Sequence, residues 1–194
     1  KALTAQAEGR FHNEIVPVKL EDGATVEADE GPRSPDLEKI HSLKPAFSKK
    51  GTVTAATSSP FSIGAGAAIL TSRQFAEQHS LNIRAEIVSR AVVGVEWERM
   101  GMGPIPAAEK ALDIAGLTMD NIDIIELNEA FAAQALYVIR KGDWPEEKIN
   151  LHGGAIALGH PLGCSGVRIL TTLINVMELK EATYGLAAMC IGKG

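Results

Sequence analysis

The chain has 194 residues, a formal net charge of −5 and only two cysteines. Because the charge is negative and no basic run is present, a nucleic-acid-binding surface is excluded, and two cysteines exclude a disulfide-dense secreted scaffold. No apolar stretch reaches the roughly 18 to 20 residues of a membrane-spanning helix. With 45% hydrophobic and 22% charged residues, the composition is that of an ordinary globular protein.

Residues 1–50 are predicted to form a peripheral and mostly irregular segment with one short strand near residues 15–18. Four prolines and an acidic patch over residues 27–30 interrupt the short apolar pieces of this segment. The chain begins Lys-Ala-Leu-Thr, without a methionine or a signal-like apolar core. We interpret this beginning as a start within a longer protein.

From Gly51 onward the sequence predicts strands that alternate with helices. The β-prone or β-branched runs are residues 52–55, 85–95, 122–127, 149–151 and 184–189. The helical patterns cover residues 63–78, with Ser62 as a candidate N-cap, and residues 104–116, 128–141 and 163–179. This alternation is typical of an α/β domain with helices packed on a sheet, and residues 85–95 are expected to be a largely buried strand.

Residues 150–166 contain five glycines in 17 positions, far above the roughly 7% of an average protein. His160 stands between Gly159 and Pro161, and proline restricts both its own backbone and the residue before it. A constrained imidazole suits a general base, although a histidine in a glycine-rich loop is also a common turn residue. The block therefore offers His160 as a candidate base.

Asn128 and Cys190 follow predicted strands, and sites in α/β proteins gather at the carboxyl ends of strands. Cys190 precedes Gly192, and a thiol there is open to a pocket and to a base such as His160. Asn128 and Glu129 fit either a helix N-terminus or, for Asn128, a water or oxyanion site. Cys164 is interpreted as a structural residue. No zinc spacing, dinucleotide fingerprint or Walker A sequence is present, so neither a metal nor a tightly bound cofactor is predicted.

Three blocks of this sequence together resemble the thiolase family. They are residues 150–166, the Asn-Glu-Ala-Phe run at 128–131 and the Cys-Ile-Gly run at 190–192, in the family's order and at similar separations. Similar segments at residues 11–18, 51–59 and 100–107 extend the resemblance to nearly the whole chain. The Asn150–Gly154 run and Cys164 resemble the degradative 3-ketoacyl-CoA thiolases of fatty-acid β-oxidation more than the biosynthetic acetoacetyl-CoA enzymes.

The resemblance implies an α/β thiolase-like fold, with mixed five-stranded sheets and helices in an αβαβα layering that is incomplete in this chain. Residues 1–50 would be part of a loop domain. Residues 51–82 would supply the last strand and helix of the N-terminal domain. Residues 83–194 would be the C-terminal domain, lacking its final strand because the sequence stops at Gly194 within a glycine-rich turn.

The resemblance also implies a role for each catalytic candidate. His160 would accept the proton of a nucleophilic thiol and help to hold the substrate's thioester oxygen, and Asn128 would position a water in that first oxyanion hole. Cys190 would act as a second thiol in acid/base steps. The N–H group of Gly192 would contribute to a second oxyanion hole.

Binding of the substrate and of CoA is assigned by the resemblance to Ser59, Met100, His152 and Phe131, with Ser59 along the pantetheine and Met100 in the acyl pocket. From the residues alone, Phe131 is predicted to be a core residue. CoA would be a co-substrate and acyl-CoA a partner, and the complete protein would be a homo-oligomer, either a dimer or a tetramer. The compartment would be the cytoplasm in a bacterium, and the mitochondrion or peroxisome in a eukaryote.

Further departures from the family pattern leave alternatives open. The family's nucleophilic cysteine has no match here, since Cys164 and Cys190 occupy other family positions, so this chain alone is predicted to be inactive. Ala56, Ile63 and Gly66 stand where the family usually has Gly, Asp and Ala. The alternatives are a biosynthetic thiolase that forms acetoacetyl-CoA, a CoA-ester-binding subunit without turnover, and a related condensing enzyme.

Overall fold

A computed structural model describes residues 1–192, so the end of the predicted glycine-rich turn at Gly194 lies outside the described residues. The helices are α1 (Ala2–Ala7), α2 (Leu37–Ser42), α3 (Arg73–Gln78), α4 (Pro104–Ala115), α5 (Ala132–Gly142), α6 (Ala155–Leu158) and α7 (Ser165–Lys180). The strands are β1 (Val18–Lys19), β2 (Thr25–Val26), β3 (Ile124–Leu127) and β4 (Gly185–Ala188).

β3 and β4 form the central parallel pair, in a register that runs from Ile124 opposite Gly185 to Leu127 opposite Ala188. Ile149 adds one parallel bridge to Ile125 on the other side of β3. Parallel neighbours require a crossover connection, and here that connection contains α5, α6 and α7. The carboxyl ends of β3 and β4 therefore meet at one edge of the sheet.

Helices cover both faces of β3, because its side chains alternate between them. Ile125 and Leu127 belong to a core cluster with residues of α4 and α5, whereas Ile124 packs against Leu173 and Val176 of α7. Burying one such apolar side chain contributes about 1.5 to 3 kcal/mol. This helix–sheet–helix sandwich is the α/β layering that the sequence predicts.

α4 and α7 confirm the helical patterns read from their sequences. α4 begins with Pro104 and is terminated by Gly116, whose φ of 68° lies in the left-handed region that glycine adopts at low cost. α7 buries one stripe of residues that includes Ile169, Leu173 and Val176. α5 begins at Ala132 rather than at residue 128, because Asn128 continues the sheet ladder by donating its backbone N–H to Ala188 O at 2.9 Å.

The helix predicted over residues 63–78 is wrong for its first ten positions. Only α3 is helical, and its N-cap is Ser72, whose side chain accepts a hydrogen bond from the N–H of Phe75 at 3.1 Å. Gly64 and Gly66 each disfavour a helix by about 1 kcal/mol. Ile69 is 92% exposed, so no packing compensates for that cost.

The strand predicted over residues 85–95 is also wrong. This segment has no regular secondary structure and is not buried, with Val92 87% exposed. A β-strand needs a neighbour to complete its hydrogen-bond ladder, and among residues 1–192 none of the backbone groups of residues 85–95 has such a partner. The β-branched sequence is therefore present as extended chain without a sheet.

Three shorter predictions need correction as well. Residues 52–55 form no strand but lead into a 3₁₀ turn at Ala55–Thr57, and residues 149–151 are reduced to the bridge of Ile149. The N-terminal segment has an antiparallel hairpin, β1 paired with β2, where one strand was expected. Within the described residues, no helix combines the length and the apolar character needed to cross a membrane.

Candidate active site

The candidate site is built on the edge where β3 and β4 end. Asn128 directly follows β3, and Cys190 lies two residues after β4. The hydrogen bond from Asn128 N to Ala188 O fixes the two chain segments side by side. The structure thus brings two of the predicted catalytic residues to one edge, as the sequence predicts.

The glycine-rich block delivers His160 to this edge after the short helix α6. Gly159 ends α6 with a φ of 100°, and a Cβ atom at this position would overlap Ser62 Oγ. Ser62 in turn accepts a hydrogen bond from the backbone N–H of His160 at 3.2 Å. Glycine is therefore required at 159, both for its backbone conformation and for the close approach of Ser62.

The imidazole of His160 is held from both of its nitrogens. Nδ1 lies 2.6 Å from Ser165 Oγ, and Nε2 lies 3.3 Å from Asn128 Nδ2. The Ser165 hydroxyl also donates to Pro161 O at 3.0 Å. Ser165 was missed by sequence reasoning, because its bond to His160 depends on the shape of the turn between the two residues.

The pKa values of the two titratable side chains of the site, His160 and Cys190, are shifted in opposite directions. Burial lowers the pKa of His160, and the positive charge of Arg168 lowers it further. Burial raises the pKa of the Cys190 thiol. At neutral pH the arrangement therefore presents a neutral imidazole, which can accept a proton, and a protonated thiol, which can donate one.

Asn128 is fully buried, and its Oδ1 atom has no hydrogen-bond partner among the described residues. Because Nδ2 faces the ring of His160, the amide carbonyl remains able to accept a hydrogen bond from a water or a substrate group. The reading of Asn128 as a helix N-cap is wrong, since α5 begins four residues later. Its position fits the predicted oxyanion role, which stays a prediction.

Glu129 ties the glycine-rich block to the end of β3. Its carboxylate accepts hydrogen bonds from Asn150 Nδ2 at 3.2 Å and from the N–H of Ile156 at 3.1 Å. The Asn150 side chain also accepts a hydrogen bond from the N–H of Leu127 at 2.8 Å and donates one to its carbonyl at 2.9 Å. Glu129 thus holds the block in place, as expected of a structural residue, although it does so by this clamp and not by stabilising the start of a helix.

The predicted binding residues fall into separate places. Ser59 donates from both its N–H and its hydroxyl to Ala130 O, at 3.1 and 3.2 Å, so it lies beside the Asn128–Phe131 run. Phe131 packs edge-on against Phe47, at a centroid distance of 6.3 Å. It is only partly buried and lies outside both core clusters, so the prediction of a core residue is wrong. His152 is buried with its ring edge-on to Phe11 at 5.9 Å. The binding roles of these residues stay predictions.

Met100 joins the site from the 3₁₀ turn at Trp97–Met102. A Cβ atom built on Gly192 would lie 2.8 Å from its Sδ atom, so glycine at 192 leaves room for this side chain. Met100, Cys190 and Gly192 line a cleft of about 2190 Å³ that continues along residues 62–73 and 81–95. The second predicted cysteine, Cys164, is buried at the N-cap of α7, in agreement with a structural role.

The family domain "Thiolase, C-terminal domain" matches residues 81–194, and "Thiolase, N-terminal domain" matches residues 1–74. This chain belongs to the thiolase family. Among residues 1–192, no three His, Cys, Asp or Glu side chains are grouped so that they could hold a metal ion.

Similarity to individual thiolases extends over the entire chain. It is 53% identical to the 3-ketoacyl-CoA thiolase of Shewanella loihica and covers 52% of that relative. It superposes on the Bacillus anthracis acetyl-CoA acetyltransferase with a TM-score of 0.95 and 38% identity, covering 50% of that chain. For human mitochondrial 3-ketoacyl-CoA thiolase in complex with CoA, the TM-score is 0.91, the identity 36% and the coverage 49%.

The superpositions confirm the predicted thiolase fold class. The chain spans about half the length of the curated relatives it matches.

Proposed function

We propose that the complete protein is a 3-ketoacyl-CoA thiolase, which uses CoA to cleave a 3-ketoacyl-CoA into acetyl-CoA and a shortened acyl-CoA, as in fatty-acid β-oxidation. The observation that carries this proposal is the imidazole of His160, fixed between Asn128 and Ser165 at the strand edge that also bears Cys190. The name of the Shewanella loihica relative supports the same activity. The human relative in complex with CoA supports CoA as the co-substrate.

In the first half-reaction, His160 Nε2 accepts the proton of a nucleophilic cysteine. The resulting thiolate attacks the 3-keto carbon, and the bond between C2 and C3 breaks. The electron pair of that bond leaves as the enolate of acetyl-CoA, which takes a proton from the Cys190 thiol. The neutral imidazole and the protonated thiol described above are the forms that these transfers require.

In the second half-reaction, the Cys190 thiolate takes a proton from the incoming CoA thiol. The CoA thiolate then attacks the acyl-enzyme, and the nucleophilic cysteine leaves as a thiolate that recovers its proton from His160. The N–H group of Gly192 would stabilise the oxyanion of this step, and a water on Asn128 Oδ1 that of the substrate thioester. All protons are returned by the end of the cycle.

The nucleophilic cysteine has to come from outside the two cysteines of this sequence. Cys164 is buried at the start of α7, and Cys190 is already engaged as the acid/base thiol. The cleft of about 2190 Å³ exceeds the roughly 300 to 1,000 Å³ of a small-molecule pocket. Its size and its exposed apolar lining support a site that further polypeptide completes.

The competing function within the family is acetoacetyl-CoA synthesis, and the similarity to the Bacillus anthracis acetyl-CoA acetyltransferase supports it as the alternative. Turnover of 3-ketoacyl-CoA substrates longer than acetoacetyl-CoA distinguishes the two activities. The homo-oligomeric state and the compartment, which is the cytoplasm for a bacterial protein and the mitochondrion or peroxisome for a eukaryotic one, remain part of the proposal. So does the absence of a tightly bound cofactor.

The test joins this chain, in one polypeptide, to the segment of the Shewanella loihica relative that it does not match. Thiolysis is followed through the loss of the enolate absorbance of 3-ketoacyl-CoA. We expect the fusion to be active and the unfused chain to be inactive. His160→Ala and Cys190→Ala should each lower turnover by at least about 10³-fold, whereas Cys164→Ala should retain most of it.

Two results would contradict the proposal. An inactive fusion that folds and binds CoA would favour a CoA-ester-binding subunit. Normal thiolysis by either the His160 or the Cys190 variant would remove that residue from the mechanism.

A further inference from the structure

We propose that Ser165 is a positioning residue that keeps the imidazole of His160 in the Nδ1–H tautomer, so that Nε2 carries the free lone pair at the site. The inference rests on the proposed function only for its catalytic consequence. Its structural content depends on the hydrogen bonds around a single ring.

Ser165 can act as the acceptor that an Nδ1–H group needs. A serine hydroxyl has one proton, and Ser165 Oγ lies within reach of both Pro161 O, at 3.0 Å, and His160 Nδ1, at 2.6 Å. The carbonyl of Pro161 also accepts the backbone N–H groups of Cys164 and Ser165, at 2.8 and 2.9 Å, so this carbonyl does not by itself fix the direction of the hydroxyl proton. When the hydroxyl proton points to Pro161 O, His160 Nδ1 is the donor to Ser165 Oγ.

The contact on the opposite side of the ring decides the direction of this hydrogen bond. With its proton on Nδ1, His160 has a lone pair on Nε2, and the Asn128 Nδ2 group at 3.3 Å is a donor that this lone pair can accept. The alternative tautomer would direct the serine proton to Nδ1 and leave Nε2–H facing the Asn128 amide donor. It would satisfy one contact of the three, and the Nδ1–H form satisfies all of them.

Burial protects these hydrogen bonds from competition with water. Ser165 is completely buried, and it occupies the first position of α7, a helix anchored on the sheet through Leu173 and Val176. Water therefore does not compete for its hydroxyl. The acceptor on Nδ1 also stabilises the imidazolium that forms when Nε2 takes a proton, because Nδ1–H remains bonded throughout the transfer.

The experiment reads the tautomer directly on the chain itself, with ¹⁵N-labelled histidine and long-range ¹H–¹⁵N correlation spectra above the pKa of His160. The wild-type spectrum should assign the proton to Nδ1. Ser165→Ala should move a large part of the population to Nε2–H, and Ser165→Thr, which keeps the hydroxyl, should restore the wild-type pattern. Thr171→Val is the matched control, since Thr171 makes the same kind of bond to the carbonyl four residues earlier, at 2.9 Å, without touching His160.

A wild-type ring protonated on Nε2 overturns the proposal, whatever the variants do, and so does an unchanged tautomer in Ser165→Ala. In the active fusion, Ser165→Ala should lower kcat about 10- to 100-fold, the loss of one hydrogen bond to a charged group, and should shift the acid limb of the pH profile downward. If the spectra are as expected and the fusion is inactive, the proposed function fails and the role of Ser165 stands.

Discussion

His160 is a base whose surroundings oppose its protonation. The ring is partly removed from water, and Arg168, on the same helix as Ser165, adds a positive charge nearby. Both effects disfavour the imidazolium, so the neutral ring is available at neutral pH. For the same reason, the stability of the imidazolium formed during catalysis depends on the hydrogen-bond acceptor at Nδ1.

The pKa of His160 should therefore lie below 6.5, the ordinary histidine value. A histidine with a lowered pKa loses its function as a base only when the pH falls through that lowered value, so the acid limb of thiolysis should also lie below 6.5. Arg168→Gln removes the nearby positive charge and should raise the pKa, measured by NMR titration of the ring. Arg140→Gln, a charge change at an exposed position of α5, is the control, and equal shifts in both variants would rule out a specific effect of Arg168.

At this scale the sequence was informative where chemistry leaves a local trace. His160 is marked by its Gly-His-Pro setting, and Asn128 and Cys190 are marked by their places after β-prone runs. The structure places Asn128 and Cys190 at one strand edge, with His160 hydrogen-bonded to Asn128. Ser165 carries no such mark. Its importance arises from a bond to a ring five residues away, across a turn whose shape the sequence does not display.

Among the elements, the Glu129 clamp explains why the glycine-rich block needs a glycine at 154. A Cβ atom on Gly154 would overlap the carboxylate of Glu129, which binds both Asn150 and the backbone of Ile156. Gly163 belongs to the same block, but a Cβ atom there would meet nothing within 4 Å. The two glycines form a matched pair for testing the clamp.

Gly154→Ala should displace Glu129 and lower the free energy of unfolding by about 2 to 4 kcal/mol, because it disrupts two hydrogen bonds to a carboxylate. Gly163→Ala should change that free energy by less than about 1 kcal/mol. Urea-induced unfolding of the two variants measures the difference. Equal effects would mean that the clamp does not contribute to stability.

The elements also separate what a local pattern can predict from what it cannot. α4, α7, β3 and β4 were predicted because each buries its apolar residues against other parts of this same chain. Residues 63–71 and 85–95 have equally apolar patterns, yet they form neither a helix nor a sheet. Their patterns are those of buried elements, but no part of residues 1–192 buries them.

On the scale of the whole molecule, part of this unmatched apolar surface lines one cleft. Ile63, Ile69, Val92 and Trp97 are all highly exposed and line the large cleft beside Cys190 and Gly192. A contiguous apolar surface of this kind marks a place of contact with other polypeptide. It agrees with a chain that spans about half the length of its relatives.

A second feature of the whole molecule is a carboxyl group in the middle of its central strand. Glu126 is fully buried between Ile125 and Leu127, and neither of its oxygens has a hydrogen-bond partner among the described residues. Burial raises its pKa to about 8, and the charge of Arg168 only partly offsets this effect. The side chain is therefore an uncharged acid in the folded protein at neutral pH, whereas in the unfolded chain it ionises near the ordinary value of 4.5.

This difference makes the stability of the fold depend on pH. Between pH 4.5 and 8 the folded state binds one proton more than the unfolded state, so stability must fall as the pH rises through this window. The full loss is on the order of 5 kcal/mol, from about 1.4 kcal/mol for each pH unit. Glu126→Gln has nearly the shape of the protonated acid and no proton to lose, so it should flatten the decline and be the more stable protein at pH 8. Urea unfolding at pH 5 and pH 8 measures the slope, with Glu109→Gln, an exposed change on α4, as the control. A wild-type decline that persists in Glu126→Gln would mean that other groups cause it.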